Sequence, residues 1–180
     1  MRPAALLLSA LSVAVVVACS AEKAPEAPAK PVALQSPPPG FDPLPADFEV
    51  SLATPLVEGI PGSPGHLIKS DRNPNGDSEL SHLMRLFVDD LRDARAKLEA
   101  GGKPTAMYDR HRRMRAAWPT NVAERNEAYD LRAQGYLAAV RAFDVAPTKD
   151  AYNAILAGCI ACHSVSCGGP IDFIDGMKWQ

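Results

Sequence analysis

Residues 154–170 read AILAGCIACHSVSCGGP, and the reading of this stretch decides how the rest of the chain is understood. It opens apolar, with Ile155 and Leu156, and Gly168-Gly169-Pro170 closes it in the manner of a helix stop. Between them lies Cys159-Ile160-Ala161-Cys162-His163. Two thiols three residues apart, followed at once by an imidazole, form the attachment pattern of a c-type haem. The chemistry accounts for the spacing: each thiol adds across one vinyl group on the same porphyrin edge, and residues three apart on a helix reach both. His163, one turn after Cys159, would then stand beneath the iron as the proximal axial ligand. A redox CxxC, or a zinc knuckle with Cys167 as a further thiolate, is the competing interpretation. Neither requires the imidazole to follow the second thiol directly.

The N-terminus reads as an export signal. Arg2 supplies a positive start, and Ala4 to Ala18 form an apolar run broken only by Ser9 and Ser12, too short at about 15 residues for a comfortable membrane-spanning helix. The run ends in Val16-Val17-Ala18-Cys19, which resembles a bacterial lipobox, so residues 1–18 are expected to be removed and Cys19 to carry lipid. Ordinary signal cleavage near Ala18 or Ala21, with Cys19 incidental, is the alternative. Ser20 after the lipidated cysteine resembles the sorting choice for the outer membrane, which places the protein on that membrane facing the periplasm. Several acyl chains would give lasting attachment where one would not.

The four cysteines thus sort by chemistry: Cys19 for lipid, Cys159 and Cys162 for haem, and Cys167 left over as a buried residue, a surface thiol or an intermolecular partner. The formal charge of −2 includes Arg2 of the signal, so the mature chain is mildly acidic. With no basic tract, nucleic acid is excluded as a partner. Residues 19–76 read as a lipidated Cys followed by a disordered Pro/Ala-rich tether, within which Phe48 to Ile60 is mildly apolar and suited to lie against the domain as a strap.

Residues 77–180 carry four helical signals and a short C-terminal tail. The first spans about Ser78 to Ala100, capped by Asp77 or Ser78. Leu80, Met84, Phe87, Leu91, Ala94 and Leu98 form one seam, and Asp93 and Lys97 pair on the opposite face. The second runs from Pro104 to Trp118 with Met107, His111, Met114 and Trp118 in register, and Arg112, Arg113 and Arg115 in a mixed helix. The third starts at Asn121 with Glu124 as capping partner and lines up Val122, Tyr129, Ala133, Tyr136, Val140 and Phe143; Asn126 interrupts the row. The fourth begins at Thr148 and passes through the haem motif, with Tyr152, Leu156, Cys159 and His163 on one stripe. Short connections favour antiparallel neighbours, so the expected fold is all-α, a four-helix antiparallel up-down bundle of about 90 residues with covalent haem on its C-terminal helix. Such a small core needs the macrocycle as a staple.

These features resemble the class II cytochromes c, the cytochrome c′ and cytochrome c556 group. GCIACHSV at the end of the last helix, the preceding TKDAYNAILAG helix and the opening SHLMRLFVDDLRDARAKL carry the similarity, over about residues 78 to 165. Where that family often has an aromatic or Arg shortly after the His, this chain has Ser166-Cys167-Gly168, which implies different packing at the haem edge. The resemblance implies that the start of the first helix covers the distal haem face and that Met84 is the sixth ligand. His82, His66 and His111 compete in that order. Met177 resembles the downstream Met of class I cytochromes but follows His163 too closely to fold over the distal face in that manner. Arg85 can reach a propionate or simply face solvent. Members of the family often pair through the first two helices, which makes a homodimer an expectation.

The expected function is a membrane-tethered electron carrier, not an enzyme, with one covalent haem c ligated by His163 and Met84 and a redox partner protein that no sequence feature names. An open distal site would instead make it a binder or sensor of nitric oxide or carbon monoxide. No distal His/Arg pair supports peroxidase chemistry. A non-haem lipoprotein stabilised by zinc on Cys159, Cys162, Cys167 and His163 is the alternative of another class.

Overall fold

Helical periodicity governs the folded chain. The computed structural model describes residues 34–180, so the signal, the lipobox and Cys19 lie outside the described residues. Five α-helices follow one another: α1 Glu79–Glu99, α2 Tyr108–His111, α3 Glu127–Val145, α4 Lys149–Ser166 and α5 Ile171–Asp175. Among the described residues there is no strand, only an isolated antiparallel bridge between Ile68 and Asp77, and the class is all-α. No helix among them is long and apolar enough to cross a membrane.

Helix α1 begins where Ser78 Oγ accepts from the Ser81 N–H at 3.2 Å, which makes Ser78 rather than Asp77 the cap. Its apolar face is wider than one seam. Leu83, absent from the expected row, is fully buried with Phe87, Leu91 and Ala94, while Leu80, Met84 and Leu98 pack partly buried on the same core. The Asp93–Lys97 pair forms at 2.8 Å on the outer face.

The expected second helix is the least regular. Only Tyr108–His111 is α-helical, and Arg112–Ala116 tightens into a 3₁₀ turn. The start is fixed from outside: the Asp144 carboxylate on α3 accepts from the Met107 N–H at 3.0 Å and the Tyr108 N–H at 2.8 Å, taking two amide donors that no local side chain caps. Met107, His111 and Met114 are nevertheless buried, as their spacing required. The third helix also starts later than expected. Residues Val122–Glu124 form a separate 3₁₀ turn with Val122 exposed, and Asn126, which broke the apolar row, caps α3 by accepting from the Tyr129 N–H at 3.0 Å. Glu124 is not its capping partner.

Thr148 caps α4, accepting from the Ala151 N–H at 3.1 Å. Helices α3 and α4 pair extensively, and Gly158 lets them meet: a Cβ there would lie 3.3 Å from both Cα and Cδ2 of Tyr136. The backbone of α1 makes no comparably close approach to either. The tail after Pro170 turns back as α5, which packs on α4 and buries Ile174 in the core.

Residues 37–76 are folded against the helices rather than free. Leu44 and Val50 bury against Ala116 in a small second core. An irregular, Pro-rich segment leaves carbonyls without backbone donors, and arginines supply them. Arg112 donates to the carbonyls of Leu44, Pro45 and Phe48; Arg113 to those of Pro38 and Asp42; Arg115 to Val50; Arg125 to Ser51 and Thr54. Trp118 Nε1 donates to the Val57 carbonyl at 2.6 Å. Arg112, Arg113 and Arg115, expected in a mixed helix, thus act with Arg125 as clamps on this segment. Gly62, at φ +91°, touches the start of α1 so closely that a Cβ would fall 2.2 Å from the Glu79 nitrogen.

Candidate haem cavity

Because α1 stands off from α3 and α4, a cavity of about 790 Å³ opens between them. That lies within the roughly 300–1,000 Å³ of small-molecule and cofactor sites. Helix α4 contributes Leu156, Cys159, Cys162 and His163 to its wall, and α1 contributes Leu80, Met84, Phe87, Val88 and Leu91. Tyr129, Arg132 and Tyr136 come from α3, and Phe173, Ile174 and Met177 from the tail. The helical pattern explains the α4 set: Tyr152, Ile155 and Leu156 are buried, and the same face one and two turns later carries Cys159, Cys162 and His163, half-buried at the cavity.

The electrostatics separate the possible uses of the thiols. Burial, reinforced by Cys162, pushes Cys159 up to about 12, and burial also raises Cys162, although Arg132 acts against it. A redox dithiol needs a thiol of lowered pKa. Here both are held neutral, an environment suited to an uncharged thioether. Among the described residues, no three His, Cys, Asp or Glu side chains are grouped to hold a metal ion.

His163 has the geometry of a ligating imidazole. Its Nδ1 lies 3.0 Å from the Cys167 carbonyl oxygen, an acceptor only, so Nδ1 carries the proton and Nε2 keeps a free lone pair. Ligating histidines are commonly oriented by such a second bond. The residues therefore fit a covalent haem: an apolar slot, two neutral sulfurs on one wall, and an oriented imidazole beside them.

The other sequence candidates sort by position. Met84 lies on the cavity, on a different helix from His163. His82 packs against Phe41, with ring centroids 4.6 Å apart, and His66 is exposed in a turn; neither lines the cavity. His111 is fully buried behind the wall, bonded to the Tyr136 hydroxyl at 2.6 Å. Met177, which follows α5, lines the cavity, as does the buried Met114. Arg85 is committed to Asp77, with Nε to Oδ2 at 2.9 Å and Nη2 to Oδ1 at 2.5 Å. Burial alone would raise Asp77, but the bonds from Arg85, Ser70 and Asn73 outweigh it and lower its pKa. Cys167 is exposed.

Tyr129, Arg132 and Tyr136 were not picked out by sequence as cavity residues. A signal existed: Arg132 is a cation on the helix face marked by Tyr129 and Tyr136. No family model, no curated protein and no solved structure matches the chain.

Proposed function

We propose that the chain is a c-type cytochrome that carries single electrons. Its haem would be bonded through Cys159 and Cys162 in the cavity between α1, α3 and α4, with His163 as proximal ligand and Met84 as distal ligand. The observation that carries this reading is the convergence of both thiols and the oriented imidazole of one pentapeptide on one apolar, cofactor-sized cavity, with Met84 contributed by another helix. When bound, the haem supplies a one-electron couple, and a thioether ligand raises its potential relative to a second imidazole. The chain's own residues exclude water from it. Leu80, Phe87 and Val88 surround the Met84 side of the cavity, and Arg132, whose charge is felt at Cys162, is better placed than Arg85 to meet a propionate.

The finer architecture belongs to the same proposal: α1, the α2 turn, α3 and α4 as an antiparallel up-down bundle closed around the haem. So do the lipid on Cys19, attachment to an outer membrane facing the periplasm, a redox partner protein, and pairing into a homodimer. Expression in a host equipped for cytochrome maturation, followed by denaturing electrophoresis with haem staining, tests the central claim. A stained band is expected, and it should vanish in the Cys159→Ala, Cys162→Ala double variant. A colourless mature protein without the mass of the pigment would overturn it.

A second reading keeps the haem and opens its distal face to nitric oxide or carbon monoxide. The half-buried packing of Met84 on the core favours it, since a packed Met can stay off the iron. High-spin absorption bands would decide for this reading, and a long-wavelength sulfur-to-iron shoulder for the first.

A further inference from the structure

Behind the cavity wall sits a polar chain in an otherwise apolar core. The Tyr136 hydroxyl lies 2.6 Å from His111 Nδ1, and His111 Nε2 lies 3.3 Å from Asp90 Oδ2, whose other oxygen accepts from Arg110 at 2.5 Å. His111 is 0% exposed and Tyr136 4%. The Phe87 ring stacks on the imidazole at 3.9 Å between centroids, and the Tyr136 ring lies beside it in a parallel plane at 5.9 Å, so the donor and acceptor are held in one orientation. Such a network is costly to bury unless every member is satisfied, and packing alone would be served by Phe at position 136.

The tautomer follows from the partners. An ionised Asp90 can only accept, which puts the imidazole proton on Nε2 and leaves Nδ1 to accept from the phenol. Burial lowers the His111 pKa despite Asp90, and burial raises that of Tyr136 far above its usual value. The resting pair is therefore a neutral phenol facing a neutral base. Tyr136 also lines the cavity, and its backbone abuts Gly158, the residue before Cys159. Tyr129 makes an instructive contrast. It lines the same cavity, but its hydroxyl donates to the Met114 carbonyl at 2.8 Å, which cannot take up a proton.

The geometry assigns Tyr136 as a redox-active tyrosine whose proton acceptor is His111. A one-electron oxidant of the hydroperoxide-derived class, on reaching the cavity, would take one electron from the phenol. The O–H bond breaks and its proton passes to His111 Nδ1. The products are a neutral phenoxyl radical and an imidazolium whose Nε2–H stays bonded to the Asp90 carboxylate. Return of one electron and that proton restores the resting pair. The role is protective: the oxidising equivalent is taken up by Tyr136, with its proton held on His111, rather than by Met84 or the thioether sulfurs.

This assignment rests on the haem reading, and the test separates the two. Haem content is measured first by mass on the full mature chain; its absence defeats the haem reading itself. Haem-loaded protein is then mixed with hydrogen peroxide, frozen rapidly and examined by electron paramagnetic resonance. A tyrosyl signal is expected that narrows when the chain carries ring-deuterated tyrosine, a measurement that needs no substitution. It should be lost in Tyr136→Phe and kept in Tyr129→Phe. In His111→Phe, which keeps an aromatic ring against Phe87, its yield should fall about tenfold, as expected for loss of the phenol's one hydrogen-bonded proton acceptor. No tyrosyl signal in haem-loaded protein, or an undiminished one in Tyr136→Phe, would overturn the assignment.

Discussion

Arg115 meets Asp130 through two parallel bonds, Nε to Oδ1 at 2.7 Å and Nη2 to Oδ2 at 2.9 Å, while its remaining nitrogen donates to the Val50 carbonyl at 2.7 Å. One guanidinium thus ties the segment after α2 both to α3 and to the strap. Hydrogen bonding from Arg115 outweighs burial and holds Asp130 below the usual carboxylate range. Both side chains are largely enclosed, at 18% and 11% exposure. Asp130→Asn should cost about 2–3 kcal/mol, somewhat under the loss for a fully buried pair, as read by urea denaturation. A loss within error would show the pair to be ornamental.

Truncation of strap side chains should register on the whole domain. Leu44 is 2% exposed against Val50 and Ala116, so Leu44→Ala should lower stability by about 2–4 kcal/mol. Leu34→Ala, at 63% exposure, should change it by no more than about 0.5 kcal/mol. Thermal unfolding of the two variants side by side makes the comparison.

Gly158→Ala sets two effects against each other. Alanine gains about 1 kcal/mol of helix propensity. Its Cβ would also sit 3.3 Å from the Tyr136 Cα, and backbone in a packed helix pair yields poorly, which costs about 1–3 kcal/mol. Net destabilisation of about 1 kcal/mol is expected from denaturation curves, and a more stable variant would mean that α3 and α4 separate easily.

Acidification should weaken the fold before carboxylates titrate. Burial depresses the folded-state pKa of His111, so the unfolded chain binds a proton that the folded chain refuses. The contribution is complete above the unfolded value of about 6.5 and declines as pH falls from there toward the folded value. The melting temperature should drop between about pH 7 and pH 5, and His111→Gln should flatten that part of the profile. An unchanged slope in the variant would assign the effect elsewhere.

Under the proposed His163/Met84 ligation, Met84→Leu should convert a six-coordinate spectrum to a five-coordinate, high-spin one. Met114→Leu and Met177→Leu should leave the absorption bands in place. Should Met177→Leu produce the change instead, the ligand comes from the tail that α5 returns to the cavity.

Much of this architecture was legible in the periodicity of particular residues. The stripe from Tyr152 through Leu156 and Cys159 to His163, the Asp93–Lys97 pair and the α4 cap at Thr148 all follow from local rules, because each depends on residues one turn apart. What escaped depends on distant partners. The start of the second helix is set by Asp144, a residue of α3 that accepts from the Met107 and Tyr108 amides. The residues before the expected strap, Pro38 to Pro45, looked like a tether because their composition reveals nothing of Arg112 and Arg113 donating to their carbonyls. The tail was read only as short because α5, at five residues, has too few turns to leave a periodic signature.

The clamp on the strap grips main-chain oxygens, and every residue type provides those. Substitution along 38–57 should therefore be widely tolerated wherever side chains point outward, with Phe41, Leu44, Phe48, Val50 and Thr54 as the exceptions that turn in. The specificity of the embrace resides in the arginines and not in what they hold. Sequence drift would accordingly be expected to erase the strap's letters long before it loosened its course.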